Sequence, residues 1–310
     1  MIKIIGHAKP LTRTTTGLHS FDRAFINADG DIGFPLGKLT EVYGPTHVGK
    51  STVVYSLASL IIDPEADIGL ADLEDFDPDF LTAILSYGGF SGKVYSILED
   101  TDEKTLQELI NVMWETCGVG ILDAIGSIAA VSEKEGEFGE ANMGKRAKLM
   151  GQFSRSVIYM LRSSEQDKNI FMVNHQHNPM GGFSKKPIAP GGNTKEYLSS
   201  MRIQIKRKYL NKKEQKFSDG SYIIDGKVVK NKWGLEGKEF SLFILAGKGI
   251  HFGLTALVDG VKLGEVSRGR TYKIGDKSFG SMKKMLEEAH AGNNEFFQPF
   301  YDALKENENS

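Results

Sequence analysis

The sequence predicts an α/β fold in which a mostly parallel sheet is covered on both faces by helices. Short apolar runs alternate with helically periodic segments from Leu39 to Lys206, the pattern of a parallel sheet. A glycine-rich loop, Gly44–Ser51, joins one apolar run to a helix, and acidic residues close two other runs, at Asp72 and Asp123. Ligands of open α/β sheets bind outside the carboxyl ends of the strands, so these features should share one edge.

The chain has 310 residues, 40% hydrophobic and 25% charged, which fits a soluble protein of about two domains or of one large domain with an appendage. No apolar run approaches the roughly 20 residues of a membrane span. Met1–Pro10 does not read as a signal peptide. The single Cys117 excludes an internal disulfide framework and suits a reducing, cytoplasmic compartment. With a net charge of −2, any nucleic-acid contact must come from local clusters rather than from overall charge.

In order, Met1–Ile5 reads as a short strand and Gly17–Phe25 as a turn and short helix. After the loop Asn27–Gly37, strands are expected at Leu39–Tyr43, Ile68–Ala71, Val94–Ile97, Val119–Leu122, Ile170–Val173 and Met201–Lys206. Helices are expected at Ser51–Ile62, Pro78–Tyr87, Thr105–Glu115 and Lys145–Arg162. Ser221–Leu245 reads as β structure with a hairpin tip at Asp225-Gly226. Beyond His251 come short segments and two helices, Ser281–His290 and Phe296–Lys305. The domain boundary falls near Gly249, giving a core of 1–249 and a small C-terminal α+β domain of 250–310.

Gly44-Pro45-Thr46-His47-Val48-Gly49-Lys50-Ser51 fits G-x-x-x-x-G-K-[ST] between a strand and a helix. Such a loop turns backbone N–H groups onto phosphates and adds the helix N-terminus. Lys50 is expected to reach the β- and γ-phosphates and the Ser51 hydroxyl to ligate Mg²⁺. Asp123, ending the run Ile121-Leu122, has the character of a Walker B acid for the Mg²⁺ shell. Glu74, just past the strand ending in Ala71, is placed to orient and deprotonate water. Asp72 and Asp75 also read as a solvated acidic turn.

Several blocks in order carry a resemblance. Thr16–Asp22, Glu41–Pro45 and Gly49-Lys50-Ser51-Thr52 resemble the start of a RecA/RadA recombinase core. Glu135–Gly144 is similar to the first DNA-binding loop of bacterial RecA, and Val173–Gln176 with Gly191-Gly192-Asn193 to the two ends of the second. Val228–Lys232 and Gly247–Phe252 match as well. The resemblance implies an ATP- and Mg²⁺-dependent recombinase that binds single- and double-stranded DNA, self-associates into a helical filament or ring, and works with single-strand-binding or loading proteins. It implies Glu74 as catalytic base, Asp77 and Phe80 at the adenine, and Thr52 in the nucleotide loop. By the same resemblance Gln176 senses the γ-phosphate, and Lys230 and Lys232 reach a neighbouring subunit's ATP. It also implies departures: no N-terminal docking helix, Ala124 where Ser is usual, and Glu196 where RecA has lysine. These suit a divergent member, cellular or viral.

On the helix after Met143, Lys145, Lys148, Arg155 and Arg162 fall on one side, opposite Leu149, Met150, Phe153, Val157 and Met160. That is either a solvated amphipathic helix or, following the first loop, a phosphate-tracking stripe; Lys148 and Arg155 are the DNA candidates. Met143 is either a core residue or a wedge between bases. Asn178–Pro190, with Lys185-Lys186, reads as a binding loop leading to Gly191 and Gly192. Lys206-Arg207-Lys208 with Lys212 and Lys213 is a second basic cluster. Two other readings use the same fold: a DNA motor such as a ring helicase or packaging ATPase, and a nucleotide-gated switch that binds a protein partner.

Overall fold

The computed structural model describes residues 11–74, 77–99, 102–128, 143–176, 199–209 and 216–308. Short strands β1 (Arg13–Thr14) and β2 (Phe34–Pro35) flank α1 (His19–Ala24). Alternation then runs through β3 (Leu39–Gly44), α2 (Lys50–Ile61), β4 (Asp67–Asp72), α3 (Pro78–Tyr87), β5 (Val94–Ser96), α4 (Asp102–Glu115), β6 (Cys117–Asp123), α5 (Met143–Ser163) and β7 (Asn169–His175). Next come β8 (Met201–Arg207), β9 (Tyr222–Asn231), β10 (Glu239–Leu245) and β11 (Gly249–Ile250). The chain ends with α6 (Phe252–Leu263), a small sheet of β12 (Ser267–Arg268), β13 (Tyr272–Ile274) and β14 (Lys277–Gly280), then α7 (Met282–His290) and α8 (Gln298–Glu308).

One nine-stranded sheet, ordered β11-β10-β9-β8-β3-β7-β6-β4-β5, holds the molecule together. Strands β8 to β5 pair in parallel, and β9, β10 and β11 extend the sheet antiparallel. The expected α/β sheet is thus present, with element ends shifted by one to three residues.

Alternation along the strands divides the apolar side chains between two faces. Val42, Phe171, Val173, Ile203 and Ile205 point to the face covered by α1, α2 and α3. Leu39, Ile170 and Met172 point to the face covered by α4 and α5, meeting Leu109, Phe153 and Val157. A third core joins Ile223 of β9 and Phe243 of β10 to α6, α7 and α8 through Leu257, Met285 and Phe300. Among the described residues no helix is long and apolar enough to cross a membrane.

The hairpin expected at Asp225-Gly226 is absent. β9 runs unbroken through both residues, pairing Asp225 with Ser241 and Gly226 with Phe240. A Cβ at Gly226 would strike the Phe240 ring, so this glycine serves a close approach rather than a turn. The reversal comes later, where Gly237 adopts a positive φ of 82° and bonds back to Val228.

At the centre of the sheet Glu41 is fully buried, and Arg202 of β8 donates its Nε–H to Oε2 at 2.6 Å. Asn174 of β7 donates to Oε1 at 2.7 Å. The guanidinium also lies over the Tyr43 ring, 4.7 Å from its centroid. A buried charge is tolerated only when paired and hydrogen-bonded. This pair clamps β3 between its two neighbours. Elsewhere buried Lys168 donates to the carbonyls of Met113 and Trp114, closing the C-terminal end of α4.

His251 caps α6. Its Nδ1 accepts from the Leu254 amide at 3.1 Å, and its ring meets Phe297 edge-on at 4.9 Å. The neutral ring must therefore carry its proton on Nε2. Burial lowers its pKa from the usual 6.5 to about 4.

Two predictions follow from these buried polar groups. Glu41→Leu alone should destabilise by about 3–5 kcal/mol in urea unfolding, because it strands the Arg202 charge. Glu41→Leu with Arg202→Leu should recover much of that loss. For His251, the unfolded ring takes up a proton below pH 6.5 while the folded ring resists until about pH 4. Stability should be fully present above pH 6.5 and fall by on the order of 3 kcal/mol by pH 4. The same titration on His251→Asn should lack that contribution to the slope.

Candidate nucleotide site

The carboxyl ends of β3, β4, β6 and β7 open on one edge of the sheet, as their parallel register requires. The loop from Gly44 to Gly49 folds over that edge. Gly44 lies so close to the Ile205 carbonyl that a Cβ would collide with it. Gly49 takes a φ of 96°, with the Tyr222 hydroxyl where a side chain would go. Both glycines are therefore required by the backbone path. α2 starts straight after Gly49 without a side-chain cap, so its first N–H groups face the loop's concave side.

Lys50 is 5% exposed, and its ammonium donates to the Pro45 carbonyl at 3.0 Å and to His175 Nδ1 at 3.2 Å. Burial lowers its pKa below the ordinary lysine value, while the charges of Glu74 and Asp123 act in the opposite direction. Because Nδ1 accepts from Lys50, His175 presents a proton at Nε2, which lies 2.6 Å from Glu74 Oε1. The Ser127 hydroxyl donates to the same carboxylate oxygen at 3.2 Å. Glu74 is thus held from two sides beside a cation, with its backbone N–H bonded to Asp72.

Asp123 is 2% exposed and accepts from the Tyr55 hydroxyl at 2.8 Å and from Ser51. Burial raises its pKa, and those two hydrogen bonds lower it. Its other oxygen, Oδ1, is buried with no partner among the described residues. A free carboxylate oxygen beside a serine hydroxyl is a hard-oxygen pair of the kind Mg²⁺ takes from protein, its remaining ligands coming from phosphate and water. The residues fit that ion. Among the described residues no group of three or more His, Cys, Asp or Glu could hold a metal alone.

The structure brings Lys50, Ser51, Glu74 and Asp123 together. Asp77 caps α3 by accepting from the Asp79 amide at 3.0 Å, and Phe80 packs against the adjoining core. Gln176 bonds the Gly44 carbonyl through its backbone, and its side chain accepts from Gln204 at 3.3 Å. His175, not Gln176, joins Lys50 to Glu74. Lys230 is in register with Arg202, and the Lys232 amide bonds Ser200. Both lysines therefore lie toward the amino-terminal ends of the parallel strands, away from the loop. Lys148 and Arg155 are exposed on α5, which Met143 opens. The Met143 side chain, Lys185, Lys186, Gly191 and Gly192 lie outside the described residues, as do Met1–Ile5, Glu135–Asn142 and Glu196.

Four participants escaped the sequence reading: Tyr55, Ser127, His175 and Tyr222. Tyr55 had a signal, since it follows Ser51 by four residues and so shares its helix face. His175 ends a strand at the ligand edge, which also marks it. Ser127 and Tyr222 arrive through tertiary structure, without a local cue.

A family model for the RecA N-terminal domain matches residues 5–251. Protein RecA of Sulfurovum sp. (strain NBC37-1) is 26% identical over 289 residues, covering 89% of this chain and 78% of that protein. Protein RecA of Nautilia profundicola is 25% identical over 303 residues, 96% of this chain and 83% of the relative. For Protein RecA of Aquifex aeolicus the values are 27% over 269 residues, 84% and 74%. The likeness extends across the loop, the strand ends that hold Glu74 and Asp123, and the antiparallel extension of the sheet, and this chain belongs to the RecA family.

Proposed function

We propose that the protein is an ATP-dependent DNA recombinase that assembles on single-stranded DNA and hydrolyses ATP when so assembled. The observation that supports this most is the split of charged groups. The cradle and its acids lie at one end of the sheet, and Lys230 and Lys232 toward the other. Stacked head to tail, one subunit offers these lysines where the next holds its nucleotide.

In this reading the Gly44–Thr52 loop binds the phosphates and Lys50 neutralises them, while Asp77 and Phe80 border the base. Ser51 and Asp123 would hold Mg²⁺, which when bound would supply positive charge beside the phosphates. Glu74 orients and deprotonates the attacking water. His175 and Ser127 fix the rotamer of Glu74. Gln176, bonded to Gln204, links the nucleotide edge to the second DNA loop. Lys230 and Lys232 complete the charge stabilisation in trans, the role an arginine finger plays elsewhere. Lys148, Arg155, Lys185 and Lys186 take DNA phosphates, with Met143 and the Gly191-Gly192 turn beside them, and residues 250–310 form a small C-terminal domain. Pairing with a homologous duplex, cytoplasmic location and loading partners belong to the same proposal.

Glu74→Gln should lower hydrolysis about 100-fold or more while a fluorescent ATP analogue still binds. Lys232→Ala should abolish stimulation by single-stranded DNA. Mixing these two inactive variants should restore part of the DNA-stimulated rate, since one supplies Glu74 and the other Lys232 at a shared boundary. A mixture that stays inactive, with hydrolysis in the parent indifferent to DNA, would replace this reading with a nucleotide-gated protein-binding switch.

A further inference from the structure

The outer surface of α4 and α5 carries aromatic side chains that core packing does not use. Trp114 is 48% exposed and Tyr159 69% exposed. Their rings are nearly parallel, at 10°, with centroids 6.5 Å apart. Together with Ile110, Asn111, Arg155 and Met160 they line a groove of about 430 Å³ between the two helices.

Helix geometry adds charge to this surface. Lys148, Arg155, Tyr159 and Arg162 are separated by seven, four and three residues, so they fall within an arc of about 60°. All four are exposed, and Tyr159 sits between the two arginines. The stripe is about 21 Å long at the rise of an α-helix. Past Trp114 a neighbouring groove holds Glu115 and Glu165 with Lys168, whose buried ammonium is taken up by the Met113 and Trp114 carbonyls, so a polyanion is favoured along α5 rather than beyond Trp114.

We propose that Trp114 and Tyr159 form a base-stacking platform for single-stranded DNA, with Arg155, Lys148 and Arg162 on the phosphates. A ligand matching this surface must combine flat π faces with a chain of negative charges, and unpaired nucleic acid does both. The parallel rings let a base stacked on one continue the stack of the other. Core groups beneath, such as Met160 and Val157, are already buried, so the rings are free to serve a ligand without holding the fold. The platform rests on the DNA-binding reading above and extends it to two residues off the DNA loops.

The test uses the full chain with a non-hydrolysable ATP analogue, a thymidine oligomer, and an abasic oligomer of equal length that keeps the phosphates and lacks the bases. The chain has two tryptophans, so Trp233→Phe leaves Trp114 as the sole reporter. The thymidine oligomer should quench Trp114 emission, and the abasic one should not. Tyr159→Ala should weaken thymidine-oligomer binding about 10-fold with little effect on the abasic oligomer, and Tyr159→Phe should restore it. If Arg155→Ala weakens binding but Trp114 emission and Tyr159→Ala affinity stay unchanged, the platform is overturned while DNA binding stands. If the parent binds neither oligomer, both fall. If Trp114→Ala with Tyr159→Ala alters sedimentation and leaves DNA affinity intact, the groove is a self-association face and the platform is overturned.

Discussion

A buried ammonium with few ways to stay charged sets the terms for this structure. Lys50 sits behind the phosphate loop with little access to water, and burial works against its charge. Its compensation comes from the ends of separate strands: the Pro45 carbonyl after β3, His175 ending β7, and the charges of Glu74 after β4 and Asp123 ending β6. Those groups meet only if four strands run parallel and stop in register. The sheet order is thereby tied to the chemistry, and a slip of one residue in any of these strands would turn its group to the other face.

The clamp at Glu41 does related work one layer deeper. It fixes β3 against β7 and β8 by charge and hydrogen bond rather than by shape alone. Apolar strands of similar length offer several workable registers, and a buried carboxylate facing a guanidinium rejects all but one of them. On one side of this line lies the parallel half with the nucleotide edge. On the other lies the antiparallel extension, which carries Lys230 and the C-terminal elements.

Much of this was legible in the residues, and the exceptions have a common cause. The phosphate loop is a local motif, the alternating segments follow from periodicity, and α5 buries Met150, Phe153, Val157 and Met160 while exposing Lys148 and Arg155, as its spacing implied. Asp225-Gly226 misled because a turn dipeptide is also what a strand needs where a cross-strand ring closes over the backbone. His175 went unnoticed because what marks it is its place at a strand end beside Lys50, not a local motif. Local patterns identify which residues have functional chemistry, whereas strand ends and distant partners decide which of them meet.

The opposed placement of cradle and lysine pair gives the proposed assembly a direction. A head-to-tail row of n subunits has only n − 1 completed sites, because the subunit at one end offers a cradle that no neighbour finishes. Turnover per subunit would then rise with length and level off, and one terminus would hold its nucleotide longer than any interior position. Growth and loss at the two ends would differ for that reason alone. A closed ring would abolish the distinction, so asymmetry between the ends is a property of the open row, written into the chain by the antiparallel course of β9.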